Sequence, residues 1–223
     1  MTPITVMVDK DVTYIDKLLL IDGLLQVLPA AELRKIPYDD LRLWCHKNAV
    51  YGLPSVELIE FLRREIGDAK TAIEVGGGNG VFGRSLGIKS TDSKIQLSPE
   101  LQALYAGMGA PIVNYGADVI EMEASTAIRD LKPRVVFGSW VTQYIAPART
   151  NVTTGGSIYG LKETEFIRHI DKYIIYGNHA THHDKEIFRV PGLRVTEHHN
   201  INTFFSRAVD HSRNTVWVIE HQS

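Results

Sequence analysis

The stretch that most constrains this chain is 71–86, TAIEVGGGNGVFGRSL. Apolar Ala72, Ile73 and Val75 surround an acid, Glu74, and lead into glycines at 76, 77, 78, 80 and 83. The pattern predicts a buried strand, a tight turn and the start of a helix. Glycine admits left-handed backbone and lets a ligand lie almost on the main chain. The first amides of the helix are then free to face that ligand.

Strands and helices alternate from residue 71 onward. Strands are predicted at 71–75, at 88–91 closed by Asp92, at 111–114, 134–139 and 173–176. Helices are predicted at 80–86, 97–107, 119–131 and 161–170, with a polar loop at 150–160. Three more extended segments follow, at 192–197, 201–209 and 215–221, and the last two read as a hairpin around 210–214. Such alternation implies an α/β fold, a mostly parallel sheet with helices on both faces. Ligands bind such sheets at the carboxyl ends of the strands, where the strand order reverses. Before residue 71, helices are expected at 12–28 (weakened at Gly23), at 37–48, and at 56–66 behind the cap Ser55. With 223 residues, the chain reads as a helical extension or cap over 1–50 and a catalytic domain over 51–223.

Two nucleotide patterns fit the glycine turn. Gly78, Gly80 and Gly83 satisfy GxGxxG, the dinucleotide fingerprint. Glu74, Gly76, Gly78 and Gly80 satisfy E/D-x-G-x-G-x-G, in which the loop wraps an aminoacyl group and a second acid after strand two accepts the ribose hydroxyls. Asp92 is placed for that second role. A glycine turn without any ligand is the remaining alternative.

From Tyr51 to its end the chain resembles the class I S-adenosylmethionine-dependent methyltransferases. Residues 74–80, EVGGGNG, resemble the family's first motif, and Asp92 matches its ribose-binding acid. Gly116-Ala117-Asp118 is similar to the segment whose acid bonds the adenine amino group, and 135–140, VVFGSW, to the strand-four motif. The resemblance implies a Rossmann-like seven-stranded sheet ending in an antiparallel hairpin. It also implies S-adenosyl-L-methionine as cofactor, held by Tyr51, Glu74, Gly76, Gly77, Gly78, Gly80, Asp92, Asp118, Ser139 and Trp140. Glu74 favours this reading, because an acid suits a sulfonium and an ammonium better than the phosphates of a dinucleotide. An NAD-dependent oxidoreductase and a non-catalytic cofactor-binding subunit that activates a partner are the competing functions.

The acceptor should lie over the ends of strands four and five. Strand four continues into Ser139-Trp140-Val141-Thr142-Gln143-Tyr144 rather than Asn/Asp-Pro-Pro-Tyr, which argues against methylation of DNA amino groups. Strand five continues into Asn178-His179-Ala180-Thr181-His182-His183-Asp184, making His179 the candidate base and Tyr144 a candidate aromatic partner of the acceptor. The histidine triple with Asp184 lacks a cysteine partner, so no metal is expected. A net charge of −2 and a pI near 6.5 do not suggest tight, non-specific nucleic-acid binding. A small-molecule acceptor is placed slightly ahead of RNA or protein. The single cysteine, Cys45, and the absence of a signal-like or membrane-spanning segment fit a cytoplasmic protein. The N-terminal apolar residues would form a lid over the site or a homodimer interface.

Overall fold

A computed structural model describes residues 10–146, 156–200 and 202–222. Seven strands form its central sheet: β1 Ala72–Val75, β2 Lys89–Asp92, β3 Ile120–Glu121, β4 Val135–Ser139, β5 Lys172–Asn178, β6 Leu193–His199 and β7 Asn214–His221. Their order is β3-β2-β1-β4-β5-β7-β6. β1 to β5 run parallel, and β7 lies antiparallel between β5 and β6. The longer helices are α1 Tyr38–Lys47, α2 Val56–Ile66, α3 Val81–Leu86, α4 Pro99–Gly107 and α5 Ala124–Leu131.

The central strands β1, β4, β5 and β7 bury both faces, as the crossovers require, because helices cover each side. Strand alternation sorts the side chains. Ala72, Val135, Phe137, Ile174, Tyr176 and Val216 join one core with α2, α3 and the N-terminal residues Ile15, Leu19, Leu33 and Trp44. Ile73, Val75, Val136, Ile175 and Trp217 join the other with Ala127 and Ile128 of α5 and with Phe166 and Ile187. The same period of two places Glu74 on the face of Ala72, toward α3. α2 begins where expected, with Ser55 Oγ accepting from the Leu58 amide at 3.0 Å.

Four sequence expectations are corrected. Residues 12–28 do not form one helix: a short helix, Asp16–Leu19, gives way to a hairpin of Leu20–Ile21 and Leu24–Leu25. Asp22 and Gly23 both adopt left-handed backbone, φ 50° and 76°, the Asp-Gly turn that matches the twist of paired strands. The third strand is Ile120–Glu121 rather than 111–114. Helix α5 consequently starts at Ala124, where the Glu123 carboxylate caps the amides of Ser125 and Thr126. The antiparallel partner of β7 is β6, not 201–209. In that segment Phe204 and Phe205 are buried in the N-terminal core, and Phe205–Ser206 pairs with Gly52–Leu53. Much of the expected polar loop at 150–160 lies outside the described residues.

Candidate functional site

The glycine turn connects β1 to α3 at the centre of the sheet, the point where strand order reverses. Gly76, Gly78 and Gly80 have φ of 65°, 53° and 75°, a backbone that side-chain-bearing residues adopt only with strain. Gly77 is required for a different reason: a Cβ there would stand 1.8 Å from Ser90 Oγ. The turn is tied to its neighbours by backbone bonds, Gly77 N to Thr91 O at 3.0 Å and Gly116 N to Gly78 O at 3.1 Å.

Glu74 lies beneath the turn rather than in front of it. Its carboxylate is buried and accepts from Ser90 Oγ at 2.7 Å and from the Gly83 amide at 3.0 Å. Burial pushes its pKa up to about 8, against the opposing effect of these two bonds, so at neutral pH the group is mostly protonated. Asp92 closes β2 and faces the turn. Its Oδ2 accepts from the Gly78 amide at 3.0 Å and its Oδ1 from the Lys94 amide at 2.8 Å. Burial raises its pKa as well, with the same two amides opposing. Asp118 pairs with Arg84 at 2.6 Å across Gly80 and Gly116. The pair is partly exposed, so opening it to admit a ligand costs little.

Aromatic rings crowd the same end of the sheet. The guanidinium of Arg207 lies 3.4 Å from the centre of the Tyr51 ring, and the Tyr51 and Trp140 rings are 6.5 Å apart. Tyr105 is raised to about 12 by burial and by its hydrogen bond with Tyr51. Tyr115 is raised by burial and then by the charge of Asp92. Tyr105, Tyr115 and Arg207 escaped the reading of the sequence. Tyr115 directly precedes Gly116-Ala117-Asp118 and was open to detection there. Arg207 lies far along the chain, joined to Tyr51 by a backbone bond of 3.0 Å.

Strand β4 delivers Ser139 and Trp140 to the rim. Trp140 has φ 57°, an uncommon conformation for a bulky residue, and such strain clusters at functional sites. Its neighbour Val141 packs on Gly76, where a Cβ would meet Val141 Cγ1 at 2.7 Å. The Trp140 ring meets the edge of His182 at 5.3 Å. His182 is fully buried, and burial lowers its pKa to about 3, with Lys185 adding to the shift.

The contacts of the two catalytic candidates are with groups outside the glycine turn. Tyr144 sits under the ammonium of Lys162 and lines a cleft of about 180 Å³ with Leu161, Glu163 and Glu186, none of them from the glycine turn. His179 follows β5, and its Nε2 lies 2.8 Å from Glu197 Oε2 on β6. The sequence grouped His179 with His182 and His183; the structure groups it with Glu197 and His199.

No protein-family model matches the chain, and no curated protein is similar to it in sequence at a significant level. Solved structures overlay on it with low identity. A Streptococcus pneumoniae protein described as a candidate tRNA (m1A22) methyltransferase gives a TM-score of 0.41 at 11% identity, covering 77% of this chain and 72% of that one. The same protein in complex with S-adenosyl-L-methionine gives 0.38 at 10%, covering 75% and 73%. A precorrin-6y C5,15-methyltransferase from Geobacter metallireducens gives 0.40 at 10%, covering 76% and 89%. Likeness of this order carries no argument about activity, which has to come from the site. Among the described residues, no helix is long and apolar enough to cross a membrane.

Proposed function

We propose that this chain transfers a methyl group from S-adenosylmethionine to a small-molecule acceptor. The observation that carries the reading is the position of β7, antiparallel between β5 and β6, in a sheet whose glycine turn and Asp92 sit at the central reversal of order. A dinucleotide-binding sheet runs 3-2-1-4-5-6, without that inserted strand. The donor set suits the cofactor. Asp92 would exchange its bonds to the Gly78 and Lys94 amides for the ribose hydroxyls. Tyr51 and Tyr105 offer faces for the adenine, and Asp118 an acceptor for its amino group once Arg84 swings away. Glu74, under the turn, would ionise when a cation lies above it.

The bound cofactor supplies an electrophilic methyl group and its own leaving group. What remains for the protein is alignment and proton removal. Ser139 and Trp140 are held rigidly beside the turn by Val141 and by the Trp140 amide's bond to the Tyr176 carbonyl, 2.7 Å, and would position the acceptor. His182, lowered to about 3, is too weak a base for neutral pH. His179 would have to accept a proton through Nδ1, since its Nε2 is engaged by Glu197. The net charge of −2 favours a small acceptor over RNA.

One observation favours an NAD-dependent oxidoreductase. A Cβ on Gly83 would meet Ser90 Cβ at 2.7 Å, the close helix–strand packing served by the third glycine of the dinucleotide fingerprint. Calorimetric titration with S-adenosylmethionine and with NAD separates the two. Binding of S-adenosylmethionine, weakened by ~1–3 kcal/mol in a folded Asp92→Ala variant, is expected; binding of NAD alone overturns the proposal. Cofactor binding with no methyl transfer in broad acceptor screens would point to the non-catalytic subunit instead.

A further inference from the structure

We infer that His179, Glu197 and His199 form a binding site for a divalent transition-metal ion. The inference does not rest on the methyl-transfer reading, and a metal on His179 Nε2 would leave Nδ1 protonated, which takes from His179 the role of base. The three side chains come from two elements that only the folded sheet brings together, the exit of β5 and the last turn of β6. Their ligating atoms all lie within 4.8 Å of one another. A single carboxylate oxygen, Glu197 Oε2, faces both imidazoles, 2.8 Å from His179 Nε2 and 3.2 Å from His199 Nε2. The rings are stacked, with centroids 5.6 Å apart and planes 23° from parallel, and both Nε2 atoms lie beside that oxygen.

The hydrogen bonding behind His199 suits a metal ligand. Thr215 Oγ1 donates its only proton to the Arg213 carbonyl at 3.2 Å. His199 Nδ1 lies 2.9 Å from the same hydroxyl, which can accept from it. With Nδ1–H donating to Thr215, Nε2 would present its lone pair to a metal. A divalent cation there would take the place of the proton now shared between His199 Nε2 and Glu197 Oε2. Orientation of a histidine through its far nitrogen is the usual outer support of a metal ligand. Two imidazoles and one carboxylate match the three-ligand set of zinc sites that keep a position open for water, and they suit a borderline transition metal better than Mg²⁺ or Ca²⁺, which prefer oxygen. The ion would clamp edge strand β6 to the short helix His179–His182, whose last residue packs on Trp140.

The test is titration of the full chain, freed of metal with a chelator, with Zn²⁺ alone, followed by calorimetry and by the metal-induced rise in thermal midpoint. Co²⁺ supplies a second readout through its visible absorption in a four- or five-coordinate site. One equivalent bound is expected. Thr215→Val should weaken it by ~10–100-fold, as for loss of an orienting partner, and His199→Ala or Glu197→Gln by more. His183→Ala and His198→Ala, which leave the three ligands in place, should bind as the parent does. Circular dichroism on each variant separates lost binding from lost fold. No stoichiometric binding by the folded parent, or undiminished binding in folded His199→Ala, overturns the inference; so does loss of binding in His183→Ala, which would assign the metal to the histidine loop.

Discussion

Replacing Glu74 with glutamine should stabilise the empty protein and weaken its hold on a cationic cofactor. In the fold, Glu74 titrates at about 8 instead of 4.5, chiefly because burial penalises its charge. Below pH 4.5 folded and unfolded chains both carry the proton and nothing is lost. Between 4.5 and 8 the folded chain keeps a proton that the unfolded chain releases, so stability falls by ~1.4 kcal/mol per pH unit. The loss is complete above 8, at ~5 kcal/mol as an upper bound from the shift. Glutamine retains an oxygen for the Gly83 amide and the Ser90 hydroxyl, and it never ionises. Parent and Glu74→Gln should therefore match in urea unfolding at pH 4.5, and the variant should be several kcal/mol more stable at pH 9. Cofactor binding should move the other way. At pH 7 about nine-tenths of Glu74 is protonated, so a cation that forces ionisation expels about 0.9 of a proton per ligand. Calorimetry in two buffers of different protonation heat measures that release, which should vanish in Glu74→Gln along with part of the affinity. Stability curves that run parallel from pH 4.5 to 9 would refute the claim that burial keeps Glu74 protonated. Equal proton release from parent and variant would refute its role beneath the cation.

Gly77→Ala puts a methyl 1.8 Å from Ser90 Oγ, itself anchored on Glu74 at 2.7 Å, and should cost about 3 kcal/mol in chemical denaturation; adding Ser90→Gly should recover most of it. His182, lowered to about 3 by burial, contributes stability that is present above its ordinary pKa of 6.5 and is lost as pH falls toward 3. Acid unfolding followed by circular dichroism should accordingly flatten between pH 6.5 and 4 in His182→Leu. Gly23→Ala, at φ 76° with open space around the added carbon, should cost ~1 kcal/mol through backbone strain alone, read as a lowered thermal midpoint.

Features written in contiguous residues were legible. Ser55 and the apolar face of 56–66 specify a helix wherever they occur, and the glycines at 76, 78 and 80 announce a turn that only left-handed backbone can make. The apolar runs of β4 and β5 read as buried strands for the same reason. Asp22-Gly23 was equally legible as a hairpin turn, but the apolar residues on both sides also suit a helix, and hairpin pairing won in the fold. Strand β3 has only two residues, both exposed, so it has no hydrophobic pattern to detect.

Other features belong to the assembled sheet. The partner of β7 could not be chosen from alternation, because 193–199 and 201–209 both present strand-like residues; burial of Phe204 and Phe205 under the N-terminal layer takes the second segment out of the sheet. Glu74 looked like a group facing a ligand until the pleat turned it toward α3. Lys185 carries no sign in the sequence of being fully buried, yet it pairs with Glu163 at 2.7 Å in the interior. His179, Glu197 and His199 are separated along the chain and converge because β5 and β6 flank β7 in register. The chain's local chemistry settles where the backbone must turn and which segments are extended or helical, since those preferences depend on neighbours a few residues away. Which charges meet, and which of them lose their water, is settled only when distant segments pack, since desolvation and pairing energies have no meaning until the partners are in place.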